Sequence, residues 1–307
     1  MSKLTILIGT YNRLSRIKKT LTGLLANKKE DHEIVVLDAG STDGTSEYLK
    51  KLRKKVKLVD DIKKEGQIKS FNRYLPFISG EYVCWLSDDN LVIDGMLDLA
   101  VSILDKNKDF GMVGLKVMDV LGKFSSEPYI GGIWPSGILN VNQGMIRTGL
   151  LRKINYFDEA FPDYGMDADL TTKVLLAGYA VVYTRQVAIL HYRDYQQNPG
   201  AFERKERNIK MTNALKIYCK KYNYLCKRYK SKNKFFLKLI YAFWINVVSF
   251  IYLFIDNEDY RLSEKPKFNS RDWKIILTAE FISRFDLWYN RKKSYYLIQK
   301  IPKSVRL

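Results

Sequence analysis

The stretch that decides the fold reads Glu81-Tyr82-Val83-Cys84-Trp85-Leu86-Ser87-Asp88-Asp89-Asn90. Its apolar part, residues 82–86, follows a Ser79-Gly80 turn signal and is rich in β-branched and aromatic residues, which predicts a buried strand. Asp88 and Asp89 then lie at the carboxyl end of that strand, the edge of an open α/β sheet where ligands bind. Adjacent carboxylates repel each other unless a cation neutralises them, and oxygen ligands suit Mg²⁺ or Mn²⁺. The alternative is a solvated turn that caps the next helix.

Strands and helices alternate around this stretch. Short apolar runs at residues 4–8 and 33–38 are typical of parallel strands that are buried on both faces. Apolar spacing and capping residues predict helices at 14–25 and 45–52. Further predicted elements are a strand at 56–59, helices at 68–77 and 168–177, and a strand at 180–190. This alternation predicts an α/β fold with a mostly parallel sheet.

Polar residues follow three of the predicted strands, at 10–13, 38–43 and 88–90. Because the carboxyl ends of parallel strands meet at one edge, these residues line one crevice, which suits a nucleotide and its metal. There is no GxGxxG after the first strand and no GxxxxGK[ST] in the chain, so dinucleotide and P-loop sites lose their main support. A divalent cation would then have to neutralise the phosphates.

Ordered motifs carry a family resemblance. They are Thr10-Tyr11-Asn12-Arg13, the segment 38–45, Ser87-Asp88-Asp89-Asn90, and the downstream segments 142–147, 156–159 and 164–170. Over roughly residues 3–195 the chain resembles a family 2 glycosyltransferase of the GT-A fold. The resemblance implies a catalytic domain at 1–200 with a Rossmann-like mixed sheet. Beyond it, the sequence predicts a basic, aromatic-rich helical region at 201–307.

The resemblance also implies a donor site. Its donor-binding residues would be Thr10, Tyr11, Asn12, Arg13, Asp38 and Asp88. Asp89 matches the carboxylate that binds Mn²⁺ or Mg²⁺ on the donor diphosphate. We expect a UDP-sugar as donor, although Ala39 stands where many relatives carry a second acidic residue.

Asp167 matches the usual position of the base, just before the predicted helix at 168–177, and Asp169 is the second choice. Inverting transfer needs a carboxylate that accepts the proton of the acceptor hydroxyl. Both residues also fit ordinary acids at a helix start. His191 closes the strand at 180–190 and would be a metal ligand, a diphosphate contact together with Arg193, or a packed histidine.

Weaker candidates complete the predicted site. Lys69, Arg73, Arg147 and Arg152 are possible phosphate contacts. The loop at 131–137 holds three glycines and Trp134, which suits either a closing loop with a sugar-stacking aromatic or a crossover with a buried tryptophan.

The last third of the chain is strongly basic. Residues 1–200 hold 27 Lys and Arg against 24 Asp and Glu, whereas residues 201–307 hold 25 against 9. Residues 235–255 contain one charge and are long enough to span a bilayer, and residues 275–288 predict an amphipathic interfacial helix. We expect association with an anionic membrane surface; a helical cap on the catalytic domain is the alternative, and no motif favours nucleic acid.

Composition bounds the remaining possibilities. Three cysteines without a CxxC pair predict a reducing compartment, and two histidines exclude a multi-histidine metal site. The N-terminal residues lack a signal-peptide pattern, so we expect the cytoplasmic face of the membrane.

These observations favour an inverting glycosyltransferase that acts on a saccharide or lipid-linked saccharide acceptor in cell-surface polysaccharide or glycolipid synthesis. The competing hypotheses are a catalytically inactive adaptor that binds membrane or nucleic acid, and a nucleotidylyltransferase, whose glycine-rich N-terminal signature is absent from the sequence.

Overall fold

The structure is a computed structural model of the 307-residue chain. It describes residues 2–60, 64–120, 129–130, 134, 138–162, 164–192, 201–223 and 295–300. The expected bilayer-length segment at 235–255 and the interfacial helix at 275–288 lie outside these residues.

A mixed sheet forms the centre of the molecule. Its strands are β1 Leu4–Thr10, β2 His32–Asp38, β3 Lys57–Val59, β4 Tyr82–Ser87, β5 Asn90–Val92, β6 Phe110–Asp119, β7 Tyr129–Ile130, β8 Gly144–Arg147, β9 Ala180–His191 and β10 Tyr295–Gln299. The order across the sheet is β10-β9-β6-β8-β4-β1-β2-β3, with β5 paired to β9 and β7 to β6. Strands β3, β2, β1 and β4 are parallel, whereas β8 lies antiparallel between β4 and β6. The predicted α/β fold with a mostly parallel sheet is confirmed.

Helices cover both faces of the sheet. They are α1 Leu14–Ala26, α2 Thr45–Lys51, α3 Gln67–Tyr74, α4 Met96–Lys106, α5 Thr148–Lys153, α6 Met166–Leu176 and α7 Ala201–Lys221. Buried residues of α1, α2 and α4 share one apolar cluster with the sheet. Those of α3, α5, α6 and α7 share the other. This layering follows from strands that are apolar on both faces, since each face needs cover.

The start of α6 differs from the prediction, and this changes the position of the candidate base Asp167. The sequence predicts Asp167 just before a helix at 168–177, but α6 begins at Met166, so Asp167 lies in its first turn. The residue before the helix is Gly165, whose φ of 88° is the left-handed conformation that glycine adopts easily.

Two segments of the last third belong to this same fold. Buried Ala214, Tyr218 and Tyr222, in α7 and just beyond it, lie in a core cluster, and β10 pairs antiparallel with β9 at the sheet edge. Strand β10 lies inside the region 201–307, which the sequence predicts to be helical. None of the helices in the described ranges has the length and apolar character that crossing a bilayer requires. The division of the chain at residue 200 therefore stays a prediction.

Candidate active site

Polar side chains from neighbouring strands meet at the carboxyl ends of β1 and β4. The Oγ1 atom of Thr10 donates a 2.8 Å hydrogen bond to Oδ2 of Asp88. The Nη1 atom of Arg13 lies 3.1 Å from Oδ1 of Asp88 and 3.2 Å from Oδ2 of Asp89. Both carboxylates are buried, with only 5% and 7% of their surface exposed. The side chains predicted to meet at these strand ends are therefore in contact, and Arg13 neutralises part of their negative charge.

The two carboxylates differ in acidity because their partners differ. Burial raises the pKa of Asp88 to about 6, against the opposing effects of Arg13 and Thr10. Burial acts on Asp89 as well, but the contact with His191 and the charge of Arg13 outweigh it and lower the pKa of Asp89. Asp89 is thus the carboxylate that stays ionised more readily.

His191 reaches this site through a strand pair. Strand β5 runs antiparallel to β9, with Asn90 opposite His191. The backbone N–H of Tyr192 also donates to the carbonyl of Asp89 at 2.9 Å. As a result, Nε2 of His191 lies 3.4 Å from Oδ1 of Asp89. The structure brings together the two residues predicted as metal ligands, while their role stays a prediction.

The surroundings of Asp89 and His191 indicate which kind of divalent cation fits there. The Oδ1 atom of Asp89 is buried and makes no hydrogen bond of ordinary geometry within the described part of the chain. Over the same residues, no group of three or more His, Cys, Asp or Glu side chains is arranged to hold a metal. Asp89 and His191 therefore fit a cation that takes few protein ligands and completes its shell with water and substrate phosphates, as Mg²⁺ commonly does.

Asp38 orders the loop that follows β2. It is fully buried and accepts hydrogen bonds from the backbone N–H of Ser41 at 3.2 Å, from the Ser41 hydroxyl at 2.5 Å, and from the hydroxyl of Ser46. The side-chain oxygen of Asn12 accepts a 2.7 Å bond from the N–H of Thr42, which ties this loop to the end of β1. Asp38 thus shapes the loop and presents no free carboxylate at the surface.

Tyr11 lies half-buried beside this loop, and Nζ of Lys64 lies 4.2 Å from the centre of its ring. Lys64 was not among the predicted site residues. Lysines are frequent along the chain and no local pattern distinguishes this one, so only the folded contact reveals it.

Asp167 is a buried carboxylate without a basic partner among the described residues. Its exposed fraction is 8%, and its Oδ1 atom has no hydrogen-bond partner within the described ranges. Burial raises the pKa of Asp167 to about 8, and the side chain of Asn142 opposes a part of this rise. A carboxylate of this kind is a stronger base than an exposed one and holds a proton near neutral pH.

Asp169, two residues further, has a different environment. It is fully buried, and its Oδ1 atom accepts hydrogen bonds from Nζ of Lys221 at 2.6 Å and from Oη of Tyr222 at 2.7 Å. Nζ of Lys173 lies 3.5 Å from its second oxygen. Asp169 therefore joins α6 to the end of α7, and this arrangement argues against the second choice of base.

Several weaker candidates have structural roles. Arg147 donates to the carbonyls of Phe110 and Leu104, and Arg152 donates to the carbonyl of Ile78. Lys69 is exposed, and Arg73 pairs with Glu65.

Trp134 is only 4% exposed, and its ring centre lies 6.0 Å from that of Tyr218. It is a core residue, as the alternative of a buried tryptophan predicts. Most of the loop at 131–137 lies outside the described residues.

Comparison with known proteins agrees with the resemblance drawn from the motifs. Residues 5–132 match the family model described as "Glycosyl transferase family 2". An uncharacterized glycosyltransferase of Haemophilus influenzae is 26% identical over 237 residues, which are 67% of this chain and 72% of that protein. The poly-beta-1,6-N-acetyl-D-glucosamine synthase of Staphylococcus aureus is 27% identical over 197 residues, 59% of this chain and 47% of that protein. Among the first curated relatives it matches, the chain spans from 20% to 81% of their lengths.

Solved structures show the same fold. The structure of S. aureus TarS 1–349 in complex with UDP-GlcNAc superposes with a TM-score of 0.53 at 19% identity, over 95% of this chain and 74% of that one. The mannosyltransferase PcManGT from Pyrobaculum calidifontis, in complex with GDP-Man and Mn²⁺, gives a TM-score of 0.51 at 17% identity, over 95% and 88% of the two chains. The fold of this chain is thus that of the GT-A glycosyltransferases.

Proposed function

We propose that this chain, whose residues 5–132 form a glycosyl transferase family 2 domain, is an inverting glycosyltransferase that uses a nucleotide-diphosphate sugar. The observations that carry the proposal are a buried carboxylate at Asp167, without a basic partner among the described residues, and the buried pair Asp88 and Asp89 at the carboxyl end of β4. These two sites suit sugar transfer, in which Asp167 accepts a proton and the site at Asp88 and Asp89 holds the departing diphosphate.

Asp167 is the proposed base. In its ionised form it accepts the proton of the acceptor hydroxyl as the hydroxyl oxygen bonds to the anomeric carbon and the bond from that carbon to the diphosphate breaks. Burial favours this role because it raises the pKa of Asp167 and so increases its proton affinity. The same burial keeps water from the reacting atoms.

The donor would lie along the ends of β1, β2 and β4. Tyr11, half-exposed beneath Lys64, offers an aromatic surface to a base, and the ordered loop behind Asp38 shapes the space beside it. Arg13 and Thr10 hold Asp88 in place for contacts to the ribose or to metal-bound water. Asp89 and His191 would hold Mn²⁺ or Mg²⁺, which when bound stabilises the negative charge on the departing diphosphate.

The names of the similar proteins support the substrate classes. UDP-GlcNAc and GDP-Man are the ligands in the two superposed structures, and a polysaccharide synthase is among the relatives. We propose a UDP-sugar donor and a saccharide or lipid-linked saccharide acceptor, within the synthesis of a cell-surface polysaccharide or glycolipid.

We also propose that the protein works at the cytoplasmic face of a membrane. The support is the excess of 25 basic over 9 acidic residues in 201–307, since clustered Lys and Arg attract anionic lipid surfaces.

Donor binding provides the first test. Thermal unfolding of the full chain is measured with UDP, GDP, UDP-GlcNAc and GDP-Man, each with and without Mn²⁺, because a ligand that binds only the folded state raises the melting temperature. We expect a nucleotide to stabilise the protein and Mn²⁺ to increase the effect. Sugar transfer to water or to an added saccharide is then followed with the best donor.

The adaptor hypothesis makes the opposite prediction for the same protein. If no nucleotide sugar binds or is consumed with any divalent metal, while anionic vesicles are still bound, the chain is an adaptor and the proposed enzyme is wrong.

A further inference from the structure

One arginine bridges the two buried carboxylates at the end of β4. The Nη1 atom of Arg13 donates hydrogen bonds to Oδ1 of Asp88 at 3.1 Å and to Oδ2 of Asp89 at 3.2 Å. The other oxygen of Asp88 accepts the 2.8 Å hydrogen bond from Thr10. The other oxygen of Asp89 faces Nε2 of His191 at 3.4 Å and makes no hydrogen bond of ordinary geometry within the described residues. Each carboxylate therefore gives one oxygen to the same guanidinium.

The bridge supplies charge that this pair needs. Adjacent carboxylates repel each other, and buried ones are costly unless a positive group lies beside them. Asp88 and Asp89 are both buried, whereas 39% of the Arg13 side chain is exposed. Arg13 also lies just before the first residue of α1, outside the regular part of the helix. The carboxylates are thus enclosed by the protein, while the guanidinium that pairs with them reaches solvent at the donor edge.

We propose that Arg13 is an exchangeable counter-ion, which competes with the divalent cation for Asp89 and moves to the donor diphosphate when the nucleotide binds. This inference rests on the proposed function. A guanidinium and a divalent cation on the same carboxylate repel each other, so the cation binds weakly while Arg13 stays in place. Guanidinium groups pair with phosphate oxygens as well as with carboxylates. The diphosphate therefore draws Arg13 away and leaves Asp89 to the cation.

This exchange couples the binding of the cation to the binding of the nucleotide. By linkage, each ligand increases the affinity for the other by the same factor. Direct attraction between the cation and the phosphates supplies one part of that factor. Arg13 adds a second part, because the nucleotide removes the competitor of the cation. Loss of Arg13 therefore raises the affinity for the cation alone and lowers the coupling factor. An arginine that never left the carboxylates would affect the first quantity and not the second.

The test compares the full wild-type chain with Arg13→Met, which keeps an unbranched side chain and removes the charge. Binding of Mn²⁺ alone is measured from the electron paramagnetic resonance signal of free Mn²⁺. Binding of UDP and of GDP is measured by calorimetry with and without Mn²⁺. For Arg13→Met we expect Mn²⁺ alone to bind at least about tenfold more tightly than to the wild type. The factor by which Mn²⁺ increases the nucleotide affinity should fall by about fivefold or more.

Stability gives a second measurement and matched variants give the controls. Arg13→Met leaves two buried carboxylates without this counter-ion and should lower the melting temperature. Mn²⁺ can replace the lost charge, so Mn²⁺ without nucleotide should raise the melting temperature of Arg13→Met more than that of the wild type. Arg13→Lys keeps a charge without the forked geometry of a guanidinium and should give intermediate values. Lys18→Met removes a charge from an exposed position of α1 and should behave as the wild type does.

Three results would overturn the inference. Mn²⁺ affinity that is unchanged or lower in Arg13→Met excludes competition, as does an equal gain in Lys18→Met. Tighter Mn²⁺ binding with an unchanged coupling factor means that Arg13 stays on the carboxylates, and the exchange is then wrong. If the wild type binds neither UDP nor GDP, the proposed function fails and the exchange fails with it. The measurement with Mn²⁺ alone still decides whether Arg13 and the cation compete.

Discussion

Asp167 and Asp169 lie two residues apart in one helix, yet their surroundings give them opposite properties. Lys221, Lys173 and Tyr222 surround Asp169 and satisfy its charge. Asp167 is buried without a basic partner among the described residues, and this burial raises its pKa to about 8. The environment of each carboxylate, more than its place in the motif, therefore supports Asp167 as the base.

We expect Asp167→Asn to reduce kcat by about 10²–10⁴ with little change in donor affinity, because the amide keeps the shape and cannot accept the proton. Steady-state kinetics and donor titration by calorimetry check this. Asp169→Asn is the comparison, and it should lower the stability more than the turnover. Full activity in Asp167→Asn would move the base to another residue.

The acidity of Asp167 also makes stability depend on pH. Its pKa in the folded state, about 8, lies above the value near 4 of an unfolded aspartate, so the folded state binds the proton more tightly. The contribution of the protonated group is complete below about pH 4 and is lost as the pH rises toward 8, at up to about 1.4 kcal/mol per pH unit. Urea unfolding from pH 4 to 8 should show Asp167→Asn gaining stability relative to the wild type as the pH rises; parallel curves would contradict the raised pKa.

Asp89 allows a test of the proposed metal contact. Asp89→Asn should weaken Mn²⁺ and donor binding together, by at least about tenfold for the donor, since the amide binds cations poorly and removes a charge. Calorimetric titration of donor with and without Mn²⁺ measures the effect. Asp94→Asn, an exposed change nearby, serves as the control. Donor affinity that is unaltered in Asp89→Asn with Mn²⁺ present would refute the metal role.

At the scale of the elements, the contact between α6 and the end of α7 is a buried polar one. The Asp169 carboxylate accepts hydrogen bonds from Lys221 and Tyr222, and the hydroxyls of Thr172 and Tyr218 lie 2.6 Å apart. Since Asp169 has 0% of its surface exposed, removal of a partner leaves a buried charge less well satisfied. The last third of the chain is thereby connected to the helix that carries the candidate base.

We expect Tyr222→Phe to lower the free energy of unfolding by about 1–3 kcal/mol, because the Asp169 carboxylate loses a hydrogen bond that water cannot readily replace. Urea denaturation provides the measurement. Lys220→Ala, an exposed change on α7, should stay within about 0.5 kcal/mol of the wild type. Equal effects of the two substitutions would mean that this contact does not stabilise the fold.

For the molecule as a whole, the uneven distribution of charge determines which kind of partner the protein attracts. Residues 201–307 carry 25 basic and 9 acidic residues, whereas the first 200 are nearly balanced. An anionic surface would therefore attract the protein through its last third, more strongly at low salt than at high salt.

This attraction can be measured with vesicles. We expect the full chain to sediment with vesicles that contain phosphatidylserine and to be released as NaCl rises toward 1 M. Replacing Lys227, Arg228, Lys230 and Lys232 by Ser should weaken binding, since each basic residue contributes about 1 kcal/mol near such a surface. Replacing Lys50, Lys51, Lys54 and Lys55 is the matched control, and an equal loss in both variants would refute a specific role of the last third.

The sequence alone was sufficient to predict the βα half of the sheet and the meeting of polar residues at three strand ends. Apolar periodicity and turn residues act locally, so they identify β1, β2, β4, α1 and α2 within a few residues. The clustering of Thr10, Arg13, Asp88 and Asp89 then follows from parallel pairing alone.

Only the tertiary structure decided which of these groups touch which partners. The contact of Asp89 with His191 depends on the pairing of β5 with β9. The different environments of Asp167 and Asp169 depend on the contact between the end of α7 and α6. The short strand β5 and the edge strand β10 have no distinctive period of their own. Contacts between residues far apart in the chain depend on how the whole core packs. A local pattern of residue types does not contain that information.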